Sequence, residues 1–187
     1  SGFTSKGGFY KSNGGIGQIS GQEVLKKYAD KVESVPFILN KKGYHTVFLS
    51  PHLPEEGNFG VFLESIGFLE VKESDTNRFL TDKVQFERLF QTAMSLHKEN
   101  KKFFLGMYNV QTHEGMDVRE HIFKDGKNLY YNKFHNYDYQ LGQFLKKFNS
   151  SPLAESIITG IAVSFLISLQ TVYPSIPGSI ISRITAS

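Results

Sequence analysis

The side chains in this sequence whose settings point to chemistry at neutral pH are hydroxyls and imidazoles. The chain has no cysteine, which removes thiolate nucleophiles, thiolate metal ligands and any disulfide framework. The hydroxyls that stand out are Thr4 and Ser5 in "SGFTSKGGFY", where small residues sit between aromatics and Gly7 and Gly8 follow. Taken alone, Thr4 reads as a helix N-cap or a loop hydroxyl, the ordinary use of Thr at such places. Among the six histidines, His113 has the most suggestive setting. It lies in the polar turn "QTHEGMD", directly after the apolar run "FFLGMYNV". Loops at strand ends are where functional side chains collect, and an imidazole there can donate to an anionic oxygen. His52 follows a second apolar run, "HTVFLS". His45, His97, His121 and His135 read as structural or surface residues, and Asp138 as a capping or packing residue.

Positioning such groups takes a scaffold, and the hydrophobic pattern supplies one. Residues 1–20 are rich in Gly and Ser and read as a loop. From Gly21, the residues Val24, Leu25, Tyr28, Ala29 and Val32 recur at helical spacing. "VPFILNKKGY" reads as a second short helix, with Pro36 in its first turn and Gly43 as its stop. "HTVFLS" is a compact β-branched and aromatic run, a buried strand. "NFGVFLESIGF" reads as a brief helix ending at Gly67, with a return strand over residues 69–71. Thr81 is a good N-cap for the strongest helix, on which Phe86, Leu89, Phe90, Ala93, Met94 and His97 share a face. Residues 103–110 form a second buried-strand candidate, and a further helix carries Phe134, Tyr137, Leu141, Phe144, Leu145 and Phe148. Helices alternating with short apolar strands predict an α/β fold, a mostly parallel sheet with helices on both faces.

Composition sets outer limits. A chain of 187 residues with 40% hydrophobic and 21% charged residues suits one domain with a real core. The formal charge of +3 is small and its lysines are scattered in pairs, so nothing points to nucleic acid. Aromatics are the unusual part, with 17 Phe and 9 Tyr but no Trp. After residue 156 the character changes: residues 157–187 hold a single charged side chain, Arg183. Their uninterrupted apolar part is shorter than the roughly 20 residues a spanning helix requires, so a membrane-inserted tail is a weak reading.

Three segments, in order, resemble one family. "GYHTVFLSPH…GNFGVFLESIGF" resembles the "GY-x-T-x-F…GF" unit of the sulfatase-like phosphotransferases, the branch of the alkaline phosphatase superfamily with lipoteichoic acid synthases and phosphoglycerol transferases. "FFLGMYNVQTHEGMD" resembles that family's strand and substrate loop, which ends in a Thr/Asn-His element. "NYDYQLGQFLKKFNSSPLAES" resembles its "Y-x-D-x-x-LG-x-F" helix and the following "S-x-L-x-x-T" approach to the next strand. The likeness spans residues 1–156, which it implies to be a partial sulfatase-like catalytic domain of alkaline-phosphatase-like fold.

The resemblance gives the candidate residues roles. Thr4 falls at the family's nucleophile turn, where a Thr follows a strand and opens a helix, and where it also binds the metal. A Thr hydroxyl is a poor nucleophile until a divalent cation lowers its pKa, and free N–H groups of a helix N-terminus would receive the phosphate. His113 falls where the family binds the transferred phosphate group or its glycerol. His52 falls among polar substrate-binding groups, at a place where the synthases more often carry Asp, and Asn58 is a weaker candidate nearby. The implied cofactor is a divalent metal, Mn2+ or Mg2+ first and Zn2+ as the alternative. The implied substrate is a lipid-linked or glycan phosphate or sulfate ester. The implied location is the extracytoplasmic face of a bacterial membrane, with a membrane-anchored parent.

Part of the implied metal site is missing. The resemblance places an acidic ligand on a strand before residue 1 and an Asp-His pair just beyond Ile158, where "IITGIAVSFL" stands instead. No Asp or His occurs after Asp138. The expectation is therefore the middle of an enzyme, inactive as this chain alone, whose residues 157–187 arise from a reading-frame shift or form a genuine alternative ending. Two functions stay open: a metal-dependent phosphoglycerol or phosphoethanolamine transferase or sulfatase-like hydrolase, and a non-catalytic degenerate domain binding an anionic glycan or a protein partner.

Overall fold

The computed structural model describes residues 33–51, 59–74 and 79–156. The expected helix from Gly21, the loop over residues 1–20 and the tail over residues 157–187 lie outside the described residues. The chain divides into two compact units, Ser1–Val110 and Gln111–Ser187.

In the first unit, helix α1 (Val35–Lys41) starts at Ser34, whose hydroxyl accepts from Phe37 N at 3.1 Å, with Pro36 in the first turn. It stops at Gly43, which takes φ +79 as the sequence pattern predicts. Strand β1 (His45–Leu49), helix α2 (Phe59–Ser65), strand β2 (Glu70–Lys72), helix α3 (Asp82–Lys98) and strand β3 (Phe103–Met107) follow. The strands form a parallel sheet in the order β2-β1-β3. Parallel neighbours require crossovers rather than hairpins, and α2 and α3 occupy those connections.

Alternation along β1 explains why both faces are covered. Phe48 and Phe104 point to one face and meet Phe68, together with Phe62, Leu63 and Ile66. The Phe48 and Phe68 rings meet edge-on at 5.2 Å, and Phe68 stacks on Phe104 at 5.9 Å. Gly106 makes this packing feasible, since a Cβ there would lie 2.7 Å from the Phe48 ring. Val47, Leu49 and Leu105 take the opposite face and are buried, and α3, packed on β3 and β1, brings Phe86, Phe90, Ala93 and Leu96 inward. The expected parallel α/β architecture with helices on both faces is the observed one.

The second unit carries helix α4 (Leu129–Asn149) and the short helix α5 (Leu153–Ser156). The side chain of Asn128 caps α4 by accepting from Tyr131 N at 3.1 Å. Here the structure departs from the sequence pattern. Phe134, Leu141, Phe144 and Leu145 are only half-buried, while Asn132, Lys133, Asn136 and Gln140 are buried beside Tyr137 and Phe148. The reason is local: Asn132 accepts from Phe123 N and donates to Gly126 O, both at 2.8 Å, so the preceding loop folds onto a polar stripe. Asp138 sits in the middle of α4 and so does not cap it.

Candidate functional site

In an open parallel sheet, ligands bind beyond the carboxyl ends of the strands, at the point where the order of connections reverses. In this sheet the reversal lies at β1, with β2 on one side and β3 on the other. The end residues of β1 and β3, Leu49 and Met107, are register partners. From the first the chain leaves through Ser50 and Pro51, and from the second through Tyr108.

Helix α3 fastens those ends. Gln85 is fully buried and its Nε2 donates to Leu49 O at 2.7 Å, with Tyr108 O at 3.4 Å. Its Oε1 accepts from Arg88 Nη1 at 3.0 Å. Arg88 Nη1 also donates to Ser50 O at 3.1 Å, and Nη2 to Lys72 O and Glu73 O at 3.0 Å. Two side chains one helical turn apart therefore bind the carboxyl ends of all three strands. Both were missed in the sequence, where the only signal was a Gln on an otherwise apolar helix face.

The site residues themselves divide by location. Thr4, His52 and Asn58 lie outside the described residues. His113 is described, in the second unit, as an exposed residue of a turn. Its Nδ1 stands 2.9 Å from Glu114 O. A carbonyl oxygen can only accept, so Nδ1 carries the proton and Nε2 is the nitrogen left for a ligand. The His113 carbonyl accepts from Met116 N at 3.3 Å and from Lys133 Nζ at 2.8 Å. Lys133 has no counterpart among the sequence candidates, because only the fold brings it to His113.

Three other histidines each meet a neighbour. His45 pairs with Glu70 at 2.6 Å between β1 and β2. The His121 ring stacks on Tyr139 with centroids 3.6 Å apart, and His135 meets Phe123 edge-on at 5.8 Å. Among the described residues no group of three or more His, Asp or Glu side chains converges as a metal site. Among the same residues no helix is long and apolar enough to cross a membrane.

Comparison with known proteins agrees with this architecture. The Sulfatase family model matches residues 3–158. Among solved structures, the chain is similar to the lipoteichoic acid synthase LtaP from Listeria monocytogenes, with a TM-score of 0.67 at 20% identity, covering 80% of this chain and 41% of that one. It is also similar to a protein of the alkaline phosphatase superfamily from Vibrio parahaemolyticus, with a TM-score of 0.64 at 19% identity, covering 79% of this chain and 39% of that one. The chain thus spans about two-fifths of the length of these structures. No curated protein matches it.

Proposed function

The chain belongs to the Sulfatase family, and from that premise we propose that it is part of a phosphoglycerol or phosphoethanolamine transferase, or a sulfatase-like hydrolase, acting on membrane-derived head groups. One observation carries the reading: a single family match takes in Thr4, His52 and His113 together. LtaP, a lipoteichoic acid synthase, is the neighbour that favours a transferase and a cell-envelope location.

In this reading Thr4 is the nucleophile. Its Oγ1 forms a bond to phosphorus, the bond from phosphorus to the lipid oxygen breaks, and the lipid alcohol leaves with a proton. An acceptor hydroxyl or water then attacks the phospho-Thr, and the Thr4 hydroxyl is restored. His113 steadies the non-bridging oxygens through Nε2, which donates when the ring is protonated, and His52 contacts the head group. A divalent cation, Mn2+ or Mg2+ with Zn2+ as the alternative, belongs to the reading as the partner of Thr4 and would lower its pKa. The described residues bring together no ligand set for it, and no Asp or His follows Asp138. The chain by itself is therefore expected to turn over little or no substrate.

Incubation of the 187-residue chain with Mn2+ and a p-nitrophenyl phosphate ester tests this reading. Little or no nitrophenolate release is expected, and robust release that survives Thr4→Ala would overturn the assignment of the nucleophile. Titration with glycerol 1-phosphate, followed by NMR of the imidazoles, is expected to move the His113 signals and leave His121 and His135 in place. A second reading, a non-catalytic domain binding an anionic glycan or a protein partner, draws support from the exposed Tyr130, Tyr131 and Tyr139. The flanking genomic sequence separates the two: a longer frame with an upstream acidic residue and a downstream Asp-His pair favours the enzyme.

A further inference from the structure

Lys133 presents a physical puzzle. It lies in the second turn of α4 and is only 8% exposed, while Leu129, Tyr130 and Tyr131 just before it are about half exposed. Burying an ammonium is costly unless a partner offsets its charge, and a neutral apolar side chain of similar size is often at least as stable in such a place. The partner found is neutral: Nζ donates to His113 O at 2.8 Å. Among the described residues no carboxylate lies within ion-pair distance of Lys133, and Asp117 is already held by Arg119 at 2.7 Å. Among those residues, the positive charge therefore stands uncompensated at the His113 turn.

The same contact fixes geometry. With Lys133 Nζ and Met116 N both on its carbonyl, the backbone at His113 is held from two directions. The held backbone keeps Nδ1 on Glu114 O, which selects the tautomer with Nε2 unprotonated in the neutral ring. One residue thus both holds the backbone that carries the imidazole and places a positive charge beside it.

We propose that Lys133 is a positioning residue for His113 and supplies the positive charge of a binding turn for the tetrahedral oxyanion of a phosphate or sulfate ester. The proposal rests on the reading of His113 as the group that meets the substrate. The anion provides the counter-charge that the described fold withholds from Lys133. Long-range attraction then acts on the anion, Nε2 donates to it when the ring is protonated, and the carbonyl contact keeps the ring in place.

The test uses the full chain, with glycerol 1-phosphate as the probe and three measurements. In the wild type, the Lys133 ammonium is expected to give a slowly exchanging Nζ signal, because it is buried on a carbonyl; a freely exchanging ammonium overturns the proposal without any variant. In Lys133→Met, nitrogen shifts of His113 are expected to move toward a mixture of tautomers, while His121 and His135 keep theirs as a check on folding. Binding of the probe is expected to weaken about tenfold or more, the loss expected for a charge-assisted contact. Lys133→Arg, which keeps charge and donors, is expected to restore the tautomer and bind within about threefold of wild type. An unchanged His113 pattern in Lys133→Met overturns the positioning role. If the probe leaves His113 untouched in the wild type, the substrate-contact reading fails; a changed tautomer in Lys133→Met then still supports the positioning role by itself.

Discussion

Gly43 and Gly67 show how a single residue type serves two purposes. Both have positive φ, +79 and +99, which an L side chain adopts only with strain. A Cβ added at Gly43 would meet nothing within 4 Å, whereas at Gly67 it would sit 2.8 Å from the Phe37 Cα, part of the backbone of α1. Gly43→Ala is therefore expected to cost about 1 kcal/mol from conformation alone. Gly67→Ala is expected to cost about 1–3 kcal/mol more, because backbone must shift to admit it. Urea denaturation of the two variants checks this, and equal losses would contradict the steric argument. The Glu70 and His45 pair makes a second prediction. Burial acts to raise the Glu70 pKa, but the hydrogen bond from His45 and the charge of Lys72 outweigh it and hold the carboxyl below its ordinary value of 4.5. A depressed carboxylate pKa contributes stability above pH 4.5 that is lost as pH falls through the lowered value. Because the pair is partly exposed, Glu70→Gln is expected to cost only about 0.2–1 kcal/mol near neutrality. The difference in Tm between the two proteins is expected to shrink as the solution is acidified below 4.5. The glycine stops were legible in the sequence as helix ends. The His45–Glu70 hydrogen bond was not, because the two residues are 25 residues apart and meet only once β1 and β2 align.

At the scale of elements, α3 does more than cover the sheet. Its apolar residues follow helical spacing, and Phe86, Phe90 and Ala93 are buried as the sequence pattern predicts. The same stripe carries Gln85, whose amide reaches two strand ends. Gln85→Met is expected to leave the Leu49 carbonyl buried without its donor and to cost about 1–3 kcal/mol, measured by urea denaturation. Arg88→Met is expected to act more locally. Ser50 N donates to Lys72 O at 3.0 Å, a carbonyl that Arg88 also holds. Hydrogen exchange at Ser50 is therefore expected to speed up in that variant, while Val47 in the middle of β1 keeps its protection. Equal acceleration at both amides would show that the arginine supports the whole sheet and not its edge. Helix α4 teaches the converse lesson. Its aromatic pattern predicts an apolar inner face, yet Asn132, Asn136 and Gln140 are buried with Lys133. Polar side chains go inside where a folded loop offers them carbonyls and amides, as Gly126 O and Phe123 N do for Asn132.

For the whole molecule, the metal is the sharpest question. The proposed reading, in which this chain lacks part of its metal ligand set, predicts that it retains well under one equivalent of Mn2+ after dialysis. Metal analysis by mass spectrometry checks this, and stoichiometric retention that is lost in Thr4→Ala would instead point to a complete site built around that hydroxyl. What the sequence determined by itself was the order of elements, the parallel α/β class and the family. These follow from signals written within a few residues: apolar periodicity, the caps at Thr81 and Gly43, and motifs in fixed succession. The tertiary structure alone decided which remote groups the buried polar side chains meet within each unit. Gln85 finds Leu49 across 36 residues and Lys133 finds His113 across 20, distances at which no periodicity carries information. A buried amide or ammonium is tolerated only where a remote carbonyl comes to meet it, and that meeting exists only in the folded chain.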